Sequence, residues 1–177
     1  MASARSGPRW ARMTWTIAPE PHDSPVAAAL WRAYYTEVSD RWYVLHEGHR
    51  TDPDELEREI AAQIGAELAS PTGQLLIGRY AGTPGGSAGV RLLDADTAEL
   101  TRVFVSEELR GRGGAPLLVA AAEEAARALG ARRLVLDTRS DLVEARALYA
   151  RLGYRETGPH NDGVYADHWF RKELAVS

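Results

Sequence analysis

The stretch from Glu99 to Ala115 (ELTRVFVSEELRGRGGA) constrains the fold more than any other part of this chain. Its first half is rich in β-branched and aromatic residues, and Val103 and Val105 alternate with their neighbours, which predicts a half-buried strand. Three glycines then fall within residues 110–115, and apolar residues recur at helical spacing from Pro116 until Gly130. The stretch therefore predicts a strand, a glycine-rich turn and a helix in succession.

A glycine-rich turn that opens a helix can hold an anion. Glycine adopts positive φ and lets a ligand approach the backbone closely. The first N–H groups of a helix have no intrahelical partner, and the helix dipole favours negative charge there. Arg110 and Arg112 add positive charge at the same place. The turn suits a phosphate or pyrophosphate, although an ordinary strand-to-helix connection with surface arginines has the same composition.

The turn does not match the two commonest nucleotide-binding patterns. It lacks GxxxxGK[ST], and it fails GxGxxG because Pro116 stands where the last glycine belongs. A nucleotide-binding domain is therefore disfavoured. Arg110, Gly113 and Ala115 do fit the pattern Arg-x-x-Gly-x-Ala.

Composition and charge exclude several other classes of protein. A chain of 177 residues with 45% apolar and 26% charged residues suits a single globular domain. The net charge of −4 argues against a nucleic-acid partner, and no apolar run is long enough to span a membrane. No secretory signal pattern is visible, so the cytoplasm is the expected location. Without cysteine there is no thiolate, and the histidines show no metal-binding spacing, so no metal is expected.

Capping and turn signals divide the rest of the chain. Ser24-Pro25 predicts a helix to about Val38, residues 39–50 show no clear period, and Asp52-Pro53 starts a second helix with Leu56, Ile60 and Ile64 as its buried face. Asp141 is the predicted cap of a later helix. The predicted order is β-α-α-β-β-β-α-β-α-β-β, an α/β (α+β) fold with a mixed sheet and helices on both faces.

A second motif lies at 145–154 (ARALYARLGY). With both motifs in place, the chain resembles the GNAT superfamily of acyl-CoA N-acyltransferases. That family carries [Gln/Arg]-x-x-Gly-x-[Gly/Ala] after its fourth strand and A-x-x-L-Y-x-x-x-G-[Phe/Tyr] further on. One departure is Leu142, which stands where the family often has an asparagine that contacts the cofactor.

The resemblance implies a fold, a domain arrangement and a reaction. The fold is a mixed, mostly antiparallel sheet, and residues 13–177 form a single acyltransferase domain. The sequence before it, residues 1–12, is itself predicted to be a flexible N-terminal tail. The reaction is transfer of an acetyl group from acetyl-CoA to a primary amine of a small acceptor. Transfer is direct, because no cysteine exists to carry the acetyl group. The alternative is a non-catalytic acyl-CoA-binding module or sensor. Homodimers are frequent in the family, so a second copy of the chain is a candidate partner.

The resemblance also implies where acetyl-CoA binds. The fourth strand would offer backbone groups to the pantetheine arm, and the turn would bind the pyrophosphate. The residues concerned are Val103, Phe104, Val105, Arg110, Gly111, Arg112, Gly113, Gly114 and Ala115.

Two residues are the catalytic candidates. Attack by an amine on a thioester requires a base for the ammonium proton, a donor for the oxyanion and a proton for the thiolate. Glu99, eleven residues before Arg110, is at the offset of the base in several family members, although a strand-edge glutamate can equally be a solvated one. Tyr149 matches the tyrosine that protonates the thiolate, and it also lies on an apolar helix face.

The acceptor pocket is predicted between the first two helices. Trp42 and Tyr43, in the non-periodic segment, are its first candidates, and Trp31 is a candidate that can equally be a core residue. An aromatic wall suits an apolar amine or a cation held against π faces. His168 is a candidate on the acceptor side and an alternative base.

Overall fold

The computed structural model describes residues 13–176, and the predicted N-terminal tail, residues 1–12, lies outside them. The described part contains seven strands and four α-helices in the predicted order. Their bounds are β1 Trp15–Glu20, α1 Pro25–Glu47, α2 Pro53–Ala62, β2 Gly73–Tyr80, β3 Thr83–Leu92, β4 Thr97–Val105, α3 Gly114–Ala128, β5 Arg133–Thr138, α4 Val143–Arg151, β6 Arg155–Thr157 and β7 His168–Glu173.

The strands form one sheet in the order β1-β2-β3-β4-β5-β7-β6. Every neighbouring pair is antiparallel except β4 and β5, which are parallel and are connected through α3. The mixed, mostly antiparallel sheet of the sequence prediction is therefore confirmed. None of the helices in the described chain is both long enough and apolar enough to cross a membrane.

Helices cover both faces of the sheet, as β2 demonstrates. Leu75 and Ile77 pack with Leu30 of α1, whereas Leu76, between them, packs with Leu118 of α3. Because consecutive side chains of a strand point to opposite faces, α1 and α3 lie on opposite sides of the sheet.

The helix starts follow the predicted capping chemistry at two of three places. The Ser24 hydroxyl accepts a hydrogen bond from the backbone N–H of Ala27 at 3.0 Å. The Asp52 carboxylate caps α2 by accepting from the backbone N–H groups of Asp54 and Glu55. The prediction that Asp141 caps α4 is wrong. Its carboxylate is taken by Arg139, with two bonds of 2.9 Å, so α4 begins after Leu142 without a side-chain cap.

Two other predictions about the helices are corrected. Helix α1 does not end near Val38 but continues to Glu47, where Gly48 ends it with a φ of 76°. Helix α2 has no buried residue, and Ile64, predicted on its buried face, follows the helix and is 71% exposed. Both differences arise because the far half of α1 and one face of α2 border a cavity, and α2 buries none of its residues in the core, so their apolar residues need not repeat with a helical period.

A β-bulge in β4 changes which side chains face which helix. The ladder with β3 shifts register between Ser87 and Gly89, opposite Arg102, whose φ is 53°. Before the bulge, Leu100 packs in the cluster with α3, and after it Phe104 packs with α1. The alternation of side chains between the two faces of β4 is therefore inverted at Arg102, whose side chain is buried. Beyond it, Val103 and Val105 pack on the face that α3 covers.

Candidate active site

Strands β4 and β5 run side by side only at their beginnings. Pairing joins Thr97–Glu99 to Arg133–Val135, and the rest of β5 pairs only with β7 on its other side. Among the described residues, β4 beyond Glu99 has no strand on that edge. Its N–H and C=O groups there are available to an extended ligand, which can pair with them as another strand would.

A cavity of about 630 Å³ opens in this cleft. It reaches from the glycine-rich turn, along β4, to the end of β5 and the inner side of α4. Of the residues that the resemblance assigned to the cofactor, it is lined by Val103, Phe104, Val105, Arg110, Gly111, Gly113, Gly114 and Ala115. It is also lined by Leu142, at the position where the family often has asparagine.

The turn has the geometry that anion binding requires. Gly111 and Gly113 have φ values of 73° and 78°, a conformation that favours glycine. A Cβ built on either would meet no atom within 4 Å, so the space in front of the turn is open. Gly113 is also the N-cap of α3 and offers no side-chain acceptor, which leaves the first N–H groups of α3 to a ligand.

Trp15 of β1 supports the turn from behind. Its indole N–H donates to the carbonyl of Arg112 at 3.0 Å, and a Cβ on Gly114 would come within 2.4 Å of its ring. Gly114 is therefore required for close packing rather than for positive φ. The sequence gives no sign that Trp15 belongs to the site. Its contact with the turn becomes visible only in the structure.

The two turn arginines occupy different places. Arg110 lines the cavity, donates from Nε to the carbonyl of Val105 at 2.9 Å, and forms an ion pair with Glu37 of α1. The Arg112 guanidinium lies over the ring of Tyr80 at 5.1 Å, and Arg112 is not among the residues that line the cavity. Of the two side chains, Arg110 is the one positioned to meet a phosphate.

Tyr149 lines the same cavity from α4 and is 7% exposed. Burial raises the pKa of its hydroxyl above the ordinary value near 10. The side chain therefore stays protonated throughout the neutral range and can donate a proton. It also packs against Tyr154 and Phe170, so the two interpretations of the sequence, proton donor and core aromatic, are compatible.

Glu99 lies in the cavity beside two residues that the sequence left unassigned. One ligand-type atom from each of Glu99, Asp137 and His160 lies within 4.8 Å of the other two. Glu99 is also paired with Arg91 at 3.1 Å, and Asp137 accepts from the Asn161 amide at 2.7 Å. The three groups can hold and pass a proton, and among the described residues they are the set whose spacing could also accept a metal ion.

A second cavity, of about 360 Å³, adjoins the first. Trp42 and Tyr43 line it, but from the extended α1 rather than from a linker. Five residues line both cavities and so mark their junction, namely Tyr34, Val38, Asp137, Thr138 and Leu142. Neither Tyr34 nor Asp137 was among the site residues predicted from the sequence. For Asp137, a charged residue near the end of the apolar strand β5 was the available signal.

The remaining two candidates lie elsewhere. Trp31 faces the buried guanidinium of Arg102, which is 3.9 Å from the centre of its ring, and it is not among the residues lining either cavity. His168, at the start of β7, has one ring nitrogen against Glu156 and the other 3.1 Å from the Ser140 hydroxyl. It too is absent from the lining of both cavities.

Comparison with known proteins finds similar sequences and similar structures. The chain is 37% identical to the uncharacterized N-acetyltransferase YjgM of Escherichia coli (strain K12) over 138 residues, 75% of this chain and 76% of that one. Its fold is similar to that of a GNAT-family acetyltransferase from Staphylococcus aureus Mu50, with a TM-score of 0.69, 14% identity, and coverage of 92% and 100% of the two chains.

A further structural neighbour contains coenzyme A. The PaiA N-acetyltransferase from Thermoplasma acidophilum, in complex with coenzyme A, has a TM-score of 0.68 at 15% identity, over 91% of this chain and 99% of that one. Residues 26–154 match the family described as acetyltransferase (GNAT). That range includes the diverging strands, the glycine-rich turn and Tyr149, so the chain belongs to the GNAT family of acetyltransferases.

Proposed function

We propose that this protein transfers an acetyl group from acetyl-CoA directly to a primary amine of a small acceptor. One observation carries the proposal. A single cavity connects the anion-binding turn, the unpaired edge of β4, the protonated Tyr149 and the carboxylates of Glu99 and Asp137. These are the parts that a phosphorylated thioester donor and an attacking amine require.

The donor would lie along β4. The N–H groups at the start of α3, together with Arg110, would hold the pyrophosphate, and the free edge of β4 would pair with the amide groups of the pantetheine arm. The coenzyme A complex of the Thermoplasma acidophilum neighbour supports this choice of ligand. The thioester would then lie near Tyr149 and Glu99, which line the other end of the cavity.

The reaction needs three proton transfers, two from the acceptor nitrogen and one to the thiolate. The acceptor ammonium first loses a proton, because only the neutral amine carries a lone pair that can attack. Glu99 is the base in our proposal, with Asp137 and His160 beside it to share the proton. The new C–N bond forms as the carbonyl oxygen becomes an oxyanion, held by a free N–H of β4. When the C–S bond breaks, the thiolate takes the proton of the Tyr149 hydroxyl. The second proton that the acceptor nitrogen loses as the amide forms returns to the Tyr149 phenolate.

The arrangement favours an enzyme over a sensor of acyl-CoA. A binding module needs the turn and the strand edge, but it does not need a buried, protonated tyrosine and a carboxylate pair at the far end of the cavity. The absence of cysteine supports direct transfer, since no thiol is present to carry the acetyl group.

Calorimetric titration with acetyl-CoA, with ATP and NAD as controls, tests the donor. We expect binding of acetyl-CoA alone, followed by release of the coenzyme A thiol when primary amines are added. Binding of acetyl-CoA without thiol release for any amine supports the sensor. Equal binding of all three compounds, or of none, overturns the proposal.

A further inference from the structure

The second cavity contains two matched pairs of tyrosine and glutamate. The Tyr43 hydroxyl donates to Glu55 at 2.6 Å, and the Tyr35 hydroxyl donates to Glu59 at 3.2 Å. The tyrosines come from α1 and the glutamates from α2, where positions four apart share one face. All four line the cavity, so the two carboxylates are presented to it together.

Neither glutamate is neutralised by a residue that the structure describes. Within residues 13–176, no ion pair is formed by Glu55 or Glu59, whereas Glu57, on the same helix, pairs with Arg32. A tyrosine hydroxyl occupies one acceptor position of a carboxylate that has about four, so most of its capacity remains. The two pairs therefore orient the carboxylates without cancelling their charge.

The tyrosines remain hydrogen-bond donors at neutral pH. Burial, with Glu59 nearby, raises the pKa of Tyr35 to about 12. The bond to Glu55, with burial, raises the pKa of Tyr43 to about 12. Neither phenol ionises in the neutral range, so both keep donating and both keep the carboxylates in place.

The cavity as a whole is negatively charged. Asp137 adds a third carboxylate at its junction with the first cavity. Arg139 also lines it, but its guanidinium makes two bonds of 2.9 Å to Asp141, which balances its charge. A cation that enters therefore meets uncompensated carboxylates in a half-enclosed space, where their attraction is stronger than in bulk water.

Aromatic side chains form part of the remaining walls. Trp42 packs edge-on against Tyr43 at a centroid distance of 5.1 Å and against Tyr165 at 5.6 Å. Such faces accept methylene groups and attract ammonium groups. An aliphatic spacer that bears a cationic end therefore matches both the walls and the carboxylates.

We infer that the acceptor is a linear diamine: one amino group reacts beside Glu99 and Asp137, and the other stays charged between Glu55 and Glu59. The inference rests on the proposed function and names the chemistry of its acceptor. The attacking nitrogen loses its proton and gains the acetyl group, as above. The distal nitrogen keeps its proton, and the Glu55 and Glu59 pair binds it in substrate and product alike.

The test is a specificity series. Linear α,ω-diamines from diaminopropane to diaminohexane are each compared with the n-alkylamine of the same length, by thiol release at saturating acetyl-CoA. We expect one length to be preferred, with kcat/KM for that diamine at least about tenfold above its monoamine, as one charge-assisted contact provides. Equal values for diamines and monoamines at every length overturn the inference.

Substitution of the glutamates tests whether the two tyrosine–glutamate pairs cause the preference for diamines. Glu55→Gln and Glu59→Gln should each reduce the diamine-to-monoamine ratio toward one, because the amide is neutral. Glu57→Gln is the matched control: it makes the same change on the same helix, at a residue paired with Arg32, and should leave the ratio unchanged. A ratio that falls equally in all three variants contradicts the assignment.

Failure of the inference can be distinguished from failure of the proposed function. Diamine binding is also measured by calorimetry with coenzyme A present, which requires no turnover. If acetyl-CoA binds and monoamines react but diamines have no advantage in rate or binding, only the inference fails. If acetyl-CoA does not bind, the proposed function fails, and the absence of diamine binding would then overturn the inference as well.

Discussion

The guanidinium of Arg110 is held by Glu37: its Nη2 lies 2.7 Å from both carboxylate oxygens. Arg110 belongs to the glycine-rich turn and Glu37 to α1, and both line the larger cavity. The carboxylate thus occupies the donor groups that a pyrophosphate would use. Both side chains remain partly exposed, at 45% and 38%, so the ion pair is of the weak kind that a doubly charged ligand can replace.

Glu37→Gln should therefore tighten binding of acetyl-CoA. The substitution frees Arg110 and removes a negative charge from the mouth of the cavity. An exposed ion pair contributes up to about 1 kcal/mol, so we expect a gain in affinity of up to about fivefold. Calorimetry measures it, with Glu57→Gln as a control for the loss of a surface ion pair elsewhere. Weaker binding in the Glu37 variant would show that Glu37 positions Arg110 instead of competing for it.

Gly113→Val should abolish most of the affinity for acetyl-CoA without unfolding the protein. Valine is strained at a φ of 78°, and its side chain would extend into the space in front of the turn. Gly82→Val is the control, since Gly82 has a φ of 86° and equally open surroundings in the β2–β3 hairpin. We expect both variants to lose about 1–2 kcal/mol of unfolding free energy. Only the first should lose affinity, by about tenfold or more; equal affinities would remove the turn from the binding site.

Tyr149→Phe should lower kcat and leave acetyl-CoA affinity near its original value. Because burial raises the pKa of Tyr149, the hydroxyl keeps its proton as the pH rises, and its role should not limit kcat below about pH 10. We expect a loss of about tenfold to a hundredfold, typical of a lost general acid. Tyr154→Phe is the comparison, because that hydroxyl donates to Glu123 at 3.0 Å. Tyr154→Phe should lower stability with little effect on kcat. If Tyr149→Phe instead lowers stability and leaves kcat unchanged, Tyr149 is a packing residue.

Glu99→Gln should lower kcat/KM by about a hundredfold. Asp137→Asn leaves Glu99 in place and should give a smaller loss. If Asp137→Asn gives the larger loss, the base is Asp137. If neither variant loses activity, the proton passes to His160 or to water.

The element order and the turn could be predicted because their signals are local. Capping residues, glycines and the β4 pattern each act within a few residues. The two family motifs contain Arg110 and Tyr149, and both residues line the first cavity. The end of α1 could not be predicted from periodicity, because only Ala27 and Leu30 of this helix are buried. Gly48, with positive φ, was the one stop signal for the longer helix.

The residues around the second cavity could not be predicted, because contacts between distant segments of the chain bring them together. Glu55 and Glu59 resemble an ordinary solvated helix face in the sequence, and Tyr35 resembles a core aromatic. Only the packing of α1 against α2 brings them together around one cavity. His160 is in the loop before β7, so its approach to Glu99 follows from the sheet order, in which β7 lies next to β5.

Arg102 offers a last test, of the bulge that redirects β4. Its φ of 53° is a conformation that costs a residue with a Cβ about 1–2 kcal/mol relative to glycine. In return its guanidinium is buried over Trp31 at 3.9 Å and lies 3.8 Å from Glu67. Arg102→Ala loses these contacts and keeps the strain, whereas Arg102→Gly loses the contacts and relieves it.

The usual order of alanine and glycine in a strand should therefore be inverted at this position. We expect Arg102→Gly to be more stable than Arg102→Ala by about 1 kcal/mol in denaturant unfolding, with both below the original protein. The matched pair Thr101→Ala and Thr101→Gly, at the neighbouring residue of the same strand, should keep the ordinary order with alanine the more stable. If alanine is the more stable at both positions, β4 does not require positive φ at Arg102, and the change of face between Leu100 and Phe104 has another cause.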